Sequence, residues 1–104
     1  MTDTHTITAE AFMDKYNAGE LADAYLMDVR EPYEWEAGHL EQAHLVPMNT
    51  VPERLDELDK EQTIYVMCAH GVRSWHVMQY LLGNGFSRVV NVEGGMAEIE
   101  RYMK

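Results

Sequence analysis

Thr63-Ile64-Tyr65-Val66-Met67-Cys68-Ala69-His70-Gly71-Val72-Arg73-Ser74 passes from an apolar, β-prone run into a short glycine-containing loop and then into a helix-forming segment. Thr63–Met67 is the clearest strand in the chain. Beyond the loop, Trp75, Met78 and Leu82 fall at i, i+3 and i+7, with Val77 and Leu81 alongside. That spacing predicts a core-facing helix over Arg73–Leu82, ended by Gly83-Asn84-Gly85. The same alternation extends in both directions. His5–Thr8 reads as a short strand, and Thr8 caps a helix from Ala9 to about Ala18, stopped by Gly19. Tyr25–Val29 reads as a buried strand, and Pro32 opens a short helix over Pro32–Ala37 that Gly38 ends. Ala43–Val46 is a further strand. Thr50-Val51-Pro52-Glu53 has capping-box spacing for a helix to about Leu58. Arg88–Val92 is the last strand, and Gly95–Tyr102 the last helix. Strands alternating with helices predict an α/β fold of three layers, α/β/α, around a mostly parallel sheet of about five strands. In such sheets ligands bind beyond the carboxyl ends of the strands, where Cys68 falls.

The 104 residues suffice for one domain with a core of its own. Composition is that of a globular fold, 46% hydrophobic and 25% charged, but the balance is acidic: 18 Asp and Glu against 8 Lys and Arg, a net charge of −10. Such a surface repels phosphate backbones and anionic lipid, which argues against nucleic-acid and membrane-surface partners. The longest apolar run, Ile64–Ala69, is too short to span a bilayer. Met1–Thr6 carries neither basic residues nor an apolar core of a leader, and a single cysteine makes no internal disulfide. Both fit a reducing cytoplasm. With no resolving thiol in the chain, anything formed on Cys68 must be discharged to an outside acceptor.

A lone cysteine at a strand end is commonly an inert small hydrophobe. The neighbours of Cys68 argue otherwise. Gly71 permits a turn that aims amides inward. Arg73 offers a permanent cation and a fork of donors for an oxyanion. Ser74 can hydrogen-bond a thiolate or an exposed helix N–H. A thiol at this point faces main-chain N–H groups and the positive end of a helix, which favour thiolate.

Cys68-Ala69-His70-Gly71-Val72-Arg73-Ser74 closely resembles the active-site loop of the rhodanese (sulfurtransferase) domain, Cys-x-x-Gly-x-Arg-Ser. Asp28-Val29-Arg30, then Glu34, Gly38-His39-Leu40 and Ala43 resemble the family's first signature. Glu93-Gly94-Gly95-Met96 resembles its last. One departure is Ile99, where many members carry tryptophan. The resemblance implies a single rhodanese-like domain over residues 1–104, working without a cofactor through a persulfide on Cys68. Sulfane sulfur would pass from thiosulfate or another persulfide to cyanide or a thiol. It further implies that main-chain N–H groups from Ala69, His70, Gly71, Val72, Arg73 and Ser74 hold the transferred sulfur, and that Arg73 grips a sulfonate-like donor end. The partners expected are a small sulfur-containing anion or thiol, or a protein persulfide donor or acceptor, with the chain monomeric or paired as a homodimer.

Two rival readings belong to other classes. One is a non-catalytic binding module of the same family, although such modules usually lack the cysteine. The other is a cysteine phosphatase, whose loop runs Cys-x-x-x-x-x-Arg. Only four residues separate Cys68 from Arg73, a ring that suits sulfur better than a tetrahedral phosphate. Around the loop, Asp28 and Arg30 read as braces rather than reactants. Glu31, Glu34 and Glu36 read as a solvated helix face, His39 as structural, and Trp75, ahead of Trp35, as a wall of the pocket. His70 sits where its charge would assist thiolate formation. His39, His44, Cys68, His70 and His76 lack the spacing of a metal site, so none is expected.

Overall fold

The computed structural model describes residues 5–104. The first four residues of the Met1–Thr6 stretch, on which the leader reading rests, lie outside that range. Five strands form one sheet: β1 (Thr6–Thr8), β2 (Tyr25–Asp28), β3 (Ala43–Leu45), β4 (Ile64–Met67) and β5 (Val89–Glu93). Their order is β1-β5-β4-β2-β3, and all four pairings are parallel. The helices between them are α1 (Ala9–Asn17), α2 (Pro32–Glu36), α3 (Val51–Arg54) and α4 (Val72–Gly83), and α5 (Gly95–Ile99) follows the last strand.

Side chains alternate across the sheet with period two, which builds two cores. From β4, Ile64, Val66 and then Cys68 face the layer of α3 and α4, where they meet Val51, Val77, Met78 and Leu81. Met67 faces the opposite layer, with Phe12 and Met13 of α1 and Met96 and Ile99 of α5. Ile99 is fully buried there, so the position where a tryptophan is common is filled by a smaller side chain. The result is the expected α/β/α sandwich, and Cys68 belongs to one face by strand register.

The chain leaves β2 toward β3 on one side and leaves β4 toward β5 on the other. The order therefore reverses between β2 and β4, which opens a crevice at their carboxyl ends. Among the described residues the buried polar or charged side chains are Asp28, Arg30, Ser74 and Asn91. Asp28 ends β2 and Arg30 follows it, Ser74 lies in the helix after β4, and Asn91 lies in β5 on the other side of β4.

Local differences from the sequence reading have identifiable causes. Thr8 caps α1 as expected, its Oγ1 accepting from the Ala11 N–H at 3.1 Å. Thr50 forms no capping box. The chain already turns at Met48–Thr50 as a 3₁₀ segment, and the Thr50 hydroxyl donates back to the Pro47 carbonyl at 2.7 Å. One α-turn and a second 3₁₀ turn, Leu55–Glu57, then stand in place of a single helix to Leu58. The last helix likewise changes to 3₁₀ at Glu100–Tyr102.

The buried stripe of α4 is Ser74, Val77, Met78 and Leu81, so its phase differs by one residue from the expected one. Trp75 is 45% exposed rather than core-facing. The polar Ser74 takes the inward position because its hydroxyl has buried partners there.

Candidate active site

The thiol end of β4 is fixed by the start of α5. Gly94 and Gly95 both adopt positive φ, +80° and +57°. This lets the Met96 N–H donate to the Cys68 carbonyl at 2.7 Å and the Ala97 N–H to the Ala69 carbonyl at 3.0 Å. A Cβ on Gly95 would meet the Cys68 carbonyl oxygen and would lie 2.7 Å from the Ala69 carbonyl carbon. Glycine at 95 is thus required by close approach of two backbones, whereas a Cβ on Gly94 would meet the Glu98 side chain. With its carbonyls turned toward α5, the loop is free to turn its N–H groups the other way.

They turn toward Cys68. Gly71, at φ +95°, brings its N–H to 3.1 Å from Sγ, and the Ser74 N–H lies at 3.4 Å. The Ser74 hydroxyl oxygen is 3.3 Å from Sγ. Burial by itself pushes the Cys68 thiol up. The Ser74 hydroxyl and the N–H groups of Ser74, His70 and Gly71 outweigh it, and the net direction is down from the ordinary thiol value. The sulfur is less accessible than a place at the loop mouth suggests: Cys68 is 1% exposed, beneath a loop whose His70 and Val72 are exposed. It is buried, but it is buried against donors. His70 enters this set through its main chain.

Arg73 is already paired with a carboxylate. Its Nη1 and Nη2 donate to the two oxygens of Glu34 at 2.8 and 2.9 Å, a two-pronged pair between α4 and α2. This overturns the reading of Glu34 as part of a solvated face. Its side chain is 18% exposed, and the Arg73 guanidinium holds its carboxyl down at about 2. The stabilising contribution of this pair is complete above the ordinary glutamate range and is lost as pH falls toward 2. Glu34 also reaches back to the Glu31 N–H at 2.9 Å, which locks its side chain over the first turn of α2.

Asp28 and Arg30 set the position of α2. Arg30 Nε donates to both Asp28 oxygens, at 3.0 and 3.1 Å, and Nη2 to Oδ2 at 2.9 Å. The other donors reach the carbonyls of Glu34 and Gly38, at 3.2 and 2.8 Å. A buried ion pair at the end of β2 therefore ties down both ends of α2, which in turn presents Glu34 to Arg73. His39 packs here as well, its ring 3.6 Å from that of Trp35 and nearly parallel to it, with Nδ1 2.8 Å from the Trp35 carbonyl. Trp35 lies with His39 in this brace. Trp75 stands exposed on the first turn of α4, edge-on to His76. His44 stacks instead on Tyr25, so the histidines are dispersed. Among the described residues no group of three His, Cys, Asp or Glu side chains is placed to hold a metal ion.

Asn91 is the site residue that the sequence reading missed. It lies in β5, 4% exposed, with Oδ1 accepting from the Ser74 hydroxyl at 2.5 Å and Nδ2 donating to the Gly71 carbonyl at 3.3 Å. The available signal was an asparagine inside the otherwise apolar run Val89-Val90-Asn91-Val92.

A parallel α/β/α sandwich with a cysteine at the carboxyl end of a central strand, cradled by amides that open a helix, defines a class of sulfur-handling or oxyanion-handling domain. Within it, the Rhodanese-like domain family model matches residues 8–102, and the chain belongs to that family. YtwF of Bacillus subtilis, provisionally named a sulfurtransferase, is 41% identical over 90 residues, covering 86% of this chain and 84% of YtwF. The tRNA uridine(34) hydroxylase of Yersinia enterocolitica is 40% identical over 88 residues, but the match spans 25% of that enzyme. The crystal structure of a rhodanese-like domain protein from Staphylococcus aureus superposes with a TM-score of 0.82 at 38% identity, covering 90% of this chain and 89% of that one. Among the described residues no helix is long and apolar enough to cross a membrane.

Proposed function

We propose that this protein transfers sulfane sulfur through a persulfide on Cys68. The observation that carries the reading is the convergence of the Gly71 and Ser74 N–H groups on Sγ at the start of a twelve-residue helix. The thiolate attacks the outer sulfur of a donor. A new S–S bond forms at Sγ as the donor's own bond to that sulfur breaks, and the leaving group departs with the electron pair, as sulfite from thiosulfate or as a thiolate from a persulfide. An acceptor nucleophile then attacks the terminal sulfur. The Sγ–S bond breaks, and the Cys68 thiolate is regenerated. Loop amides serve both halves, because negative charge rests on sulfur at the start, between the steps and at the end.

The donor is better read as a persulfide or protein-borne sulfur than as free thiosulfate. Arg73 is neutralised by Glu34, the net charge of −10 repels a dianion, and Val72 and Trp75 expose apolar surface beside the loop. Cytoplasmic residence fits the same chemistry, since a reducing compartment supplies thiol acceptors. Initial rates of thiocyanate formation from cyanide test both parts. Turnover is expected with thiosulfate and with the persulfide of an uncharged thiol, with kcat/KM higher for the latter, and the thiosulfate KM should fall as ionic strength rises. No turnover with either donor sinks the transferase reading and leaves a binding module. A thiosulfate KM indifferent to salt removes the argument from repulsion alone.

A further inference from the structure

Three buried side chains share too few protons to be satisfied in every state of Cys68. Ser74 has one hydroxyl proton and two neighbours that can accept it, Cys68 Sγ at 3.3 Å and Asn91 Oδ1 at 2.5 Å. The orientation of the Asn91 amide is settled by the loop. Its other end meets the Gly71 carbonyl, which can only accept, so Nδ2 must lie there and Oδ1 must face Ser74. With Oδ1 toward it, the Ser74 hydroxyl donates to Asn91 and offers Cys68 a lone pair. The neutral thiol fits this arrangement, because S–H donates to Ser74, Ser74 to Asn91, and Asn91 to Gly71. A thiolate has no proton to give and needs the Ser74 proton for itself. All three side chains are almost fully buried, and among the described residues no buried side-chain polar atom is left without a partner.

We propose that Asn91 is a positioning residue that holds the single hydroxyl proton of Ser74 away from Cys68, so that ionisation of the thiol requires the Ser74 hydroxyl to turn over. The thiol proton leaves to solvent, the hydroxyl rotates from Asn91 to Sγ, and Asn91 Oδ1 loses its donor; no covalent bond of Ser74 or Asn91 changes. The main-chain N–H groups hold the sulfur in either state, while Asn91 opposes the hydroxyl donor. When Sγ carries a second sulfur it is neutral, and the Ser74 proton returns to Asn91. The residue thereby favours the thiol and the loaded persulfide over the free thiolate. The inference rests on Cys68 acting through its thiolate, as the transferase reading requires.

Its test reads proton loss rather than sulfur transfer, so the two fail separately. The pH midpoint of iodoacetamide alkylation at Cys68 is measured in the folded full chain. Asn91→Ala should lower it by about half to one pH unit, because the Ser74 proton is freed for the sulfur. In a Ser74→Ala background the same substitution should leave the midpoint unmoved. Should Asn91→Ala fail to fold, Asn91→Asp serves. Its carboxylate accepts more strongly, so the midpoint should rise, and rise more with Ser74 present than absent. A midpoint unchanged or raised by Asn91→Ala, an equal shift in both backgrounds, or a fall with Asn91→Asp would overturn the proposal.

Discussion

Cys68→Ser is expected to reduce sulfur transfer at least about a thousandfold while leaving the fold intact. Serine nearly preserves the volume of a side chain that is 1% exposed, and its oxygen can accept from the same Gly71 and Ser74 N–H groups. It cannot stand in chemically. Its hydroxyl does not ionise near neutral pH, and an oxygen–sulfur adduct is not a persulfide. With no other cysteine in the chain, no second thiol can take over. Turnover and a thermal melt, measured together, check this. A folded Cys68→Ser protein that kept a tenth of the parental rate would place the chemistry elsewhere.

Arg30→Ala is expected to cost about 3–5 kcal/mol of stability, more than any other single side-chain change in the brace. Asp28 is wholly buried, and Arg30 supplies its side-chain ion pair. Removing the guanidinium strands a carboxylate, takes the donor from the Gly38 carbonyl, and leaves the Glu34 carbonyl with only the Ala37 N–H. Loss should spread from β2 to α2 and from there to the Glu34–Arg73 pair. Urea denaturation measures the cost. Double replacement of Asp28 and Arg30 by apolar residues should recover part of it, because a buried pair is worth less than the penalty for breaking it. A single variant as stable as the parent would refute the bracing role.

The parts of this site that are local in sequence were legible, and those assembled across the sheet were not. The strand–loop–helix around Cys68 arises from residues next to one another: a β-prone run, a glycine that takes positive φ, and an apolar helical period. Glu34 and Arg73 stand 39 residues apart; in sequence Glu34 reads as a solvated helix face and Arg73 as the grip on a donor. Only the β2–β4 crevice brings them together, so the charge expected to grip a donor is found paired with a carboxylate. Asn91 was hidden for the same reason, since nothing near it in sequence says that it faces Ser74. The phase of α4 is misleading in sequence because aromatic size makes Trp75 look like core. The buried position goes to Ser74, whose polar partners lie on other elements. The Gly94-Gly95 pair was visible as a motif. The cause at Gly95, backbone packed against the carbonyls of Cys68 and Ala69, required the fold.

Intact-protein mass spectrometry after exposure to a sulfane-sulfur donor tests the persulfide most directly. One added sulfur, about 32 Da, is expected on the parent chain, removed by cyanide and absent from Cys68→Ser. An unchanged mass in the folded parent, or an equal gain in Cys68→Ser, would contradict the role given to this sulfur.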